Sequence, residues 1–195
     1  MDHGSGNLHS VARAIETVGG KPEVTDDADA IMTADALVIP GVGRFGACMR
    51  SLVERALDSA VTRFAATGRP VFGVCLGMQV LFEGSEEDPD PGLGLLPGGS
   101  RRLPEDVKVP HMGWNSVEWV APHPYVADIP SQTRFYFVHS FAPDVGPTAV
   151  GVTEHGRPFA SVVAQGNLFA TQFHPEKSGD AGLRIYERFV QEAGS

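Results

Sequence analysis

A chain of 195 residues, 42% apolar and 20% charged, holds enough material for one buried core, and residues 1–195 are expected to form a single domain. A formal charge of −9 argues against nucleic acid or an anionic membrane as the main partner. Two cysteines, Cys48 and Cys75, make no disulfide framework, no signal-like segment opens the chain, and no apolar run nears the ~18 residues of a membrane span; a cytoplasmic protein is expected.

The chain opens on a turn of small and polar residues, Met1 to Asn7, which fits neither the dinucleotide nor the P-loop spacing. Helical periodicity then runs from Leu8 through Val11, Ala14, Ile15 and Val18 to the Gly19-Gly20 stop. Pro22 to Thr25 reads as a short strand. Ala36 to Pro40 is a continuous apolar run of the kind found in a parallel strand buried on both faces. It ends in the flexible loop Gly41-Val42-Gly43, at the sheet edge where open α/β sheets bind ligands. From Phe45 to Ala66 the pattern is helical, with Leu52, Ala56, Ala60 and Phe64 at helical spacing.

Pro70-Val71-Phe72 is the next strand, and Met78 to Glu83 reads as helix. Glu83 to Gly99 is polar and rich in glycine and proline; its acidic cluster, Glu86-Glu87-Asp88, reads first as solvated surface. Beyond Val107 the chain reads as β, over 117–120, 134–141 and 149–153. Strands over 159–164 and 168–173 form a hairpin around Gln165-Gly166-Asn167. A last helix carries Leu183, Tyr186, Phe189 and Val190 on one face. These elements predict an α/β fold, an open and mostly parallel sheet with flanking helices, and an antiparallel region in the C-terminal half.

The strand–turn–helix junction Gly73-Val74-Cys75-Leu76-Gly77 has the spacing of a nucleophile elbow with a thiol in place of the hydroxyl. Glycines at both flanks suit a turn too tight for side chains, and a helix N-terminus favours a thiolate. The same residues also fit a buried cysteine in an ordinary junction. A cysteine nucleophile needs a base and an orienting group, and His174-Pro175-Glu176 offers both at a strand end. That tripeptide alone equally fits a polar surface turn. A zinc site is set aside, because the Cys-x-x-Cys that accompanies a His-x-Glu zinc site is absent. Neither metal nor cofactor is expected. Gly41, Val42 and Gly43, with the N–H of Leu76, are candidates for an oxyanion hole. Gln79 lies one helical turn past Cys75, on the same side.

Three motifs coincide in order and spacing: Pro40-Gly41-Val42-Gly43, Gly73-Val74-Cys75-Leu76-Gly77-Met78-Gln79 and Gln172-Phe173-His174-Pro175-Glu176-Lys177-Ser178. On these, nearly the whole chain resembles the class I, triad-type glutamine amidotransferases, a flavodoxin-like fold. Two further runs, Pro110-His111-Met112-Gly113-Trp114-Asn115 and Tyr136-Phe137-Val138-His139-Ser140-Phe141, are similar to the glutaminase subunits of imidazole glycerol phosphate synthase in histidine biosynthesis. The resemblance implies hydrolysis of glutamine by Cys75, His174 and Glu176. It implies glutamine binding by Gln79, Glu87, Ser140 and Phe141. It also implies a heterodimer with a (βα)₈-barrel cyclase subunit that receives the ammonia. Candidates for the docking face or its gate are Asn7, Tyr136, His111, Met112, Gly113, Trp114, Asn115 and Lys177.

One departure stands out. Members of the resembled family begin with an apolar strand before Asp-Tyr-Gly-Ser-Gly-Asn. Here Met1 stands where that strand would end and His3 replaces the tyrosine, so a first strand is expected to be missing, through a start placed too far downstream. Two other functions stay open: the glutaminase of a different synthase, such as pyridoxal phosphate synthase, and a non-catalytic amidotransferase-like binding subunit. The Pro-His-Met-Gly-Trp-Asn run argues against the first, and the intact Cys75, His174 and Glu176 against the second.

Overall fold

The structure, a computed structural model, describes residues 1–2, 4 and 8–194. Asn7, a candidate for the docking face, and His3 lie outside the described residues. Among the described residues, six α-helices and ten strands follow in chain order. They are α1 (Leu8–Thr17), α2 (Ala28–Thr33), β1 (Leu37–Gly41), α3 (Phe45–Glu54), α4 (Leu57–Ala66), β2 (Val71–Cys75) and α5 (Leu76–Gln79). Then come β3 (Phe82–Ser85), β4 (Leu96–Arg102), β5 (His111–Trp119), β6 (Thr133–His139), β7 (Phe141–Pro143), β8 (Ala149–His155), β9 (Arg157–Gln165), β10 (Leu168–Thr171) and α6 (Gly179–Ala193). No helix among the described residues is long and apolar enough to cross a membrane.

The main sheet has seven strands in the order β1-β2-β10-β9-β8-β5-β6. Its parallel part is the trio β1-β2-β10. From β10 onward every neighbour is antiparallel, including the β9–β10 hairpin expected around Gly166. The fold is the α/β arrangement with flanking helices and an antiparallel C-terminal region that the sequence predicts, but the sheet is mixed rather than mostly parallel, with its parallel pairings confined to the trio around β2. A second sheet, β3-β4-β7, is built largely from the stretch read as a polar loop.

Alternation along β2 decides which helices cover which face. Val71 joins a core with Ile31 of α2, Leu52 of α3 and Phe64 of α4. Phe72 and Val74 point the other way, into a core with Val11 and Ile15 of α1 and Tyr186 and Phe189 of α6. Phe72 is fully buried and its ring centroid lies 5.2 to 5.4 Å from those of Phe169, Tyr186 and Phe189. Such burial stabilises by roughly 2–3 kcal/mol, before the gain from edge-to-face packing. β2 is therefore held rigidly from both sides, with Cys75 at its end.

Three local expectations are corrected. The helix read from Phe45 to Ala66 is two helices, broken at Ala56, which takes a left-handed conformation with φ 55°. Leu52 and Leu57 are both fully buried. In one unbroken helix their side chains point about 140° apart, and the break lets both reach the same core. The helix after Cys75 is a single turn, ending at Gln79, and Phe82 already begins β3. The carbonyls of Val80, Leu81 and Phe82 are taken by the amides of Leu93, Leu95 and Gly94, so returning chain replaces further helical bonds. Residues 22–25 form no strand; among the described residues their one ladder-like bond is from Asp2 N to Thr25 O. The amino group of Met1 in turn donates to Val38 O on the open side of β1.

Residues His111 on β5 and His139 on β6 are directly paired across the ladder, both buried, 3.0 Å apart between Nδ1 and Nε2. Burial, reinforced by their mutual repulsion and that of His155, pushes His139 down to about 3. Burial and then His155 push His111 down to about 4.

Two expected outcomes follow from this framework. A Cβ on Gly77 would sit 1.7 Å from the carbonyl oxygen of Ile39, whereas one on Gly84 meets open space. Gly77→Ala should destabilise by about 3 kcal/mol or more, and Gly84→Ala by no more than about 0.5 kcal/mol, in urea unfolding. Below pH 6.5 the unfolded chain takes up protons that folded His111 and His139 refuse until about pH 4 and about pH 3. Stability should therefore fall as pH drops from 6.5 toward 4, more steeply in the wild type than in His139→Asn. Equal slopes in the two proteins would contradict the neutral pair.

Candidate active site

Cys75 closes β2 with φ 56° and ψ −107°, a conformation that non-glycine residues rarely hold. The strain is imposed by packing on all sides. A Cβ on Gly73 would lie 2.6 Å from Gly77 O, and one on Gly41 would lie 2.7 Å from Gly77 N. The elbow therefore presses directly on the end of β1, which is why glycine stands at 41, 73 and 77. The reversal throws the side chain of Cys75 off the sheet and into a cavity of about 280 Å³. Val42, Gly43, Leu76, Gln79, Glu87, Pro110, Val138, His139, Ser140, Phe141 and His174 line the rest of it. That volume suits a small substrate.

His174 enters this cavity from the end of β10, 99 positions after Cys75. Its backbone is tied to β6 twice: His174 N donates to Tyr136 O at 2.9 Å, while Ser178 Oγ accepts from Tyr136 N at 3.0 Å and donates to His174 O at 2.6 Å. Pro175–Lys177 forms a single 3₁₀ turn that brings Glu176 back under the ring. Nδ1 of His174 lies 2.7 Å from Glu176 Oε1, and Tyr186 of α6 donates its hydroxyl to Glu176 Oε2 at 3.4 Å. α6 comes this close because Gly182 faces Pro175; a Cβ there would lie 1.9 Å from Pro175 O.

With Nδ1 committed to the carboxylate, Nε2 is the nitrogen left for the cavity, where it is buried and makes no close hydrogen bond among the described residues. Burial alone disfavours the imidazolium. The neighbouring Cys75 sulfur, and then Glu176, outweigh it and raise His174 to about 10. The Cys75 thiol itself is directed at Val138 O, 3.9 Å away. Cys48, in contrast, is carried by α3 and buried in the apolar core, which pushes its thiol up to about 12.

Glu87 reaches the cavity from the β3–β4 connection and accepts a hydrogen bond from Phe45 N at 2.9 Å, at the start of α3. Arg44 Nε stands 3.7 Å from its other oxygen. The acid thus fastens the far end of the Gly41–Gly43 loop. Of that loop, Val42 and Gly43 line the cavity, while Gly41 is spent on close packing against Leu76. Gln79 is buried, and both hydrogens of its amide are engaged, with Phe141 O at 2.9 Å and Gln172 Oε1 at 3.0 Å. Ser140 and Phe141, at the β6–β7 junction, form the remaining wall.

The residues expected at a docking face separate into two groups. Met112 and Trp114 are 60% and 48% exposed. The Trp114 ring meets that of Tyr136 edge-on at 6.3 Å, and Lys177 Nζ stands 5.9 Å above Tyr136. Gly113 lies between the two exposed side chains with φ 134°. His111 is 5% exposed and points inward, and Asn115 bonds to it, so strand alternation puts these two on the opposite side from Trp114 and Met112. Sequence reasoning assigned no role to Gln172, Ser178 or Tyr186. Gln172 and Ser178 flank the His-Pro-Glu motif within five residues; Tyr186 was readable only as one apolar position on α6.

A family model described as glutamine amidotransferase class-I matches residues 1–193. The chain is 50% identical over 188 residues to the imidazole glycerol phosphate synthase subunit HisH of Symbiobacterium thermophilum, covering 95% of this chain and 89% of that protein. It is 45% identical to the HisH subunit of Moorella thermoacetica, covering all of this chain and 96% of that one. Among solved structures, a glutamine amidotransferase superposes with TM-score 0.76 at 19% identity, covering 98% of this chain and 96% of that one. The cysteine elbow, the His-Glu pair facing it and these similarities agree, and the chain belongs to the class-I glutamine amidotransferase family.

Proposed function

We propose that the chain is the glutaminase subunit of imidazole glycerol phosphate synthase, hydrolysing glutamine and handing the ammonia to a cyclase partner. The single observation that carries the chemistry is the cavity shared by Cys75 and His174, with Glu176 on the far nitrogen of the imidazole. The near-full-length similarity to HisH subunits supports the choice of synthase. Those relatives are each one subunit of the synthase, which implies a second.

The substrate side chain enters with its amide carbon at Cys75 Sγ. His174 Nε2 holds the thiol proton, so that sulfur attacks as thiolate, and the oxygen of the tetrahedral adduct turns toward Leu76 N–H and the Val42–Gly43 backbone. His174 then gives the proton to the departing nitrogen, ammonia leaves, and a glutamyl thioester remains on Cys75. Water, deprotonated by His174, releases glutamate. Glu176 keeps Nδ1 protonated and the ring aimed, and Tyr186 keeps Glu176 aimed. At the other end of the substrate, Glu87 receives the ammonium group. With both N–H groups of Gln79 engaged, its carbonyl oxygen is the atom offered to the substrate.

Ammonia released into water is protonated and stops being a nucleophile, so the partner must cover the exit. Met112, Trp114, Tyr136 and Lys177 supply a partly aromatic, cationic patch beside the cavity wall, which suits an interface. That partner is a (βα)₈ barrel. The Gly41–Gly43 loop, fastened by Glu87 but open toward the cavity, is the element that docking completes.

Two measurements test this reading. Iodoacetamide at pH 8 should label Cys75 and leave Cys48 untouched in peptide mass spectra; only about one Cys48 thiol in ten thousand is ionised at that pH. Cys75→Ala should abolish glutamate release while Cys48→Ala keeps it. In the second, glutamate release by the chain with its cyclase partner should exceed that of the chain alone, and Trp114→Ala should weaken the complex by about tenfold or more. A chain that works as fast alone as in the complex would refute the coupling.

A further inference from the structure

We infer that Gln172 is a further catalytic residue: its side-chain amide donates a hydrogen bond to Cys75 Sγ and holds the sulfur as thiolate. This rests on the reading of Cys75 as the nucleophile. Gln172 is fully buried, and its Nε2 lies 3.6 Å from the sulfur.

Which end of a glutamine amide faces a sulfur is ordinarily ambiguous, since nitrogen and oxygen look alike. Here the neighbours fix it. Phe141 O can only accept, so the Gln79 atom 2.9 Å away is its NH₂ group. The same NH₂ group lies 3.0 Å from the Gln172 amide, so the Gln172 atom facing it is oxygen. The other terminal atom of Gln172, the one facing Cys75, is therefore nitrogen, a donor.

The same carbonyl anchors a second arm. His139 Nδ1 lies 2.9 Å from Phe141 O and must donate, which leaves His139 Nε2 as an acceptor. His111 Nδ1 then donates to it at 3.0 Å, and His111 Nε2 accepts from Asn115 Nδ2 at 3.2 Å. Asn115 is oriented independently, because its Nδ2 also donates to Glu154 O at 2.9 Å and its Oδ1 accepts from Ser116 N at 2.8 Å. Every direction along both arms agrees, so Phe141 O is pinned from β5 and β6 and passes a single amide orientation to Gln172.

The donor matters because the elbow helix is only four residues long. A single turn offers the sulfur little helix dipole, so beside His174 a buried side-chain amide is a further local group that favours negative charge there. The titratable groups around the sulfur are His174 with Glu176 behind it, His139 on β6 and Glu87 across the cavity. All of them remain in the variants below.

The test is the pH dependence of Cys75 alkylation by iodoacetamide, read by peptide mass spectrometry. It is joined by glutamate release in the complex with the cyclase. Gln172→Met keeps the length and removes the donor. Its alkylation midpoint should move up by about 1–2 pH units, and kcat should fall about 10- to 100-fold with KM for glutamine unchanged, the worth of one hydrogen bond to a charged group. If Gln172→Met does not fold by circular dichroism, Gln79→Leu decides. It leaves Gln172 in place but frees its amide, and should move the midpoint the same way by less. A folded variant with an unmoved midpoint overturns the inference alone, even if its activity is lost. A wild-type chain whose Cys75 never alkylates overturns the nucleophile reading and this inference together.

Discussion

The close approach of the Cys75 elbow to the end of β1 is the constraint on which the site depends. Gly77 touches the carbonyl of Ile39, Gly41 touches Leu76 and Gly77, and Gly73 touches Gly77. With no side chain between them, the two strand ends and the first turn of α5 form one rigid block. That block over-determines the positive φ of Cys75, a strain worth ~1–3 kcal/mol that an isolated turn would relax. Both faces of β2 are sealed by apolar cores, so the relaxation has nowhere to go.

From that fixed point the site is assembled by ties to three other strands. β10 pairs with β2 and delivers His174; β6 holds the 174–178 turn through Tyr136 and Ser178; the β6–β7 junction supplies Phe141 O, which aligns Gln79 and His139. Each tie has a backbone group at one end, and in the last two the other end is a side chain, Ser178 Oγ, Gln79 or His139. The less tightly packed member is the Val42–Gly43 segment, where a Cβ on Gly43 would meet nothing within 4 Å among the described residues. On the mechanism proposed above, a docking partner could complete the site by ordering this one segment.

Much of this was legible in the sequence because it is local. The elbow and the His-Pro-Glu turn each occupy a few consecutive residues, and backbone sterics at glycine and proline write their geometry directly into the chain. The buried run at β1 and the hairpin around Gly166 were equally plain. What escaped depends on distant partners. The helical period of residues 45–66 concealed the break at Ala56, since only the shared core tells that Leu52 and Leu57 must both be buried. Met78 to Phe82 keeps a helical pattern yet leaves the helix, because residues 92–96 return to take its carbonyls. The polar stretch 83–99 hid two strands of the small sheet. Gln172 stands in the motif around His-Pro-Glu, but nothing in that motif tells that its amide meets the sulfur of Cys75, a contact made only where the ends of β2 and β10 come together.

The central claim is that the sulfur of Cys75, paired with His174, attacks glutamine and carries the acyl group. Its most direct test is intact-mass and peptide mass spectrometry of the chain, acid-quenched during turnover of glutamine in the presence of the cyclase partner. A glutamyl thioester is expected on the peptide containing Cys75, sensitive to hydroxylamine and absent before substrate is added. Steady glutamate production with no acyl group on Cys75 at any time, and undiminished in Cys75→Ser, would contradict it.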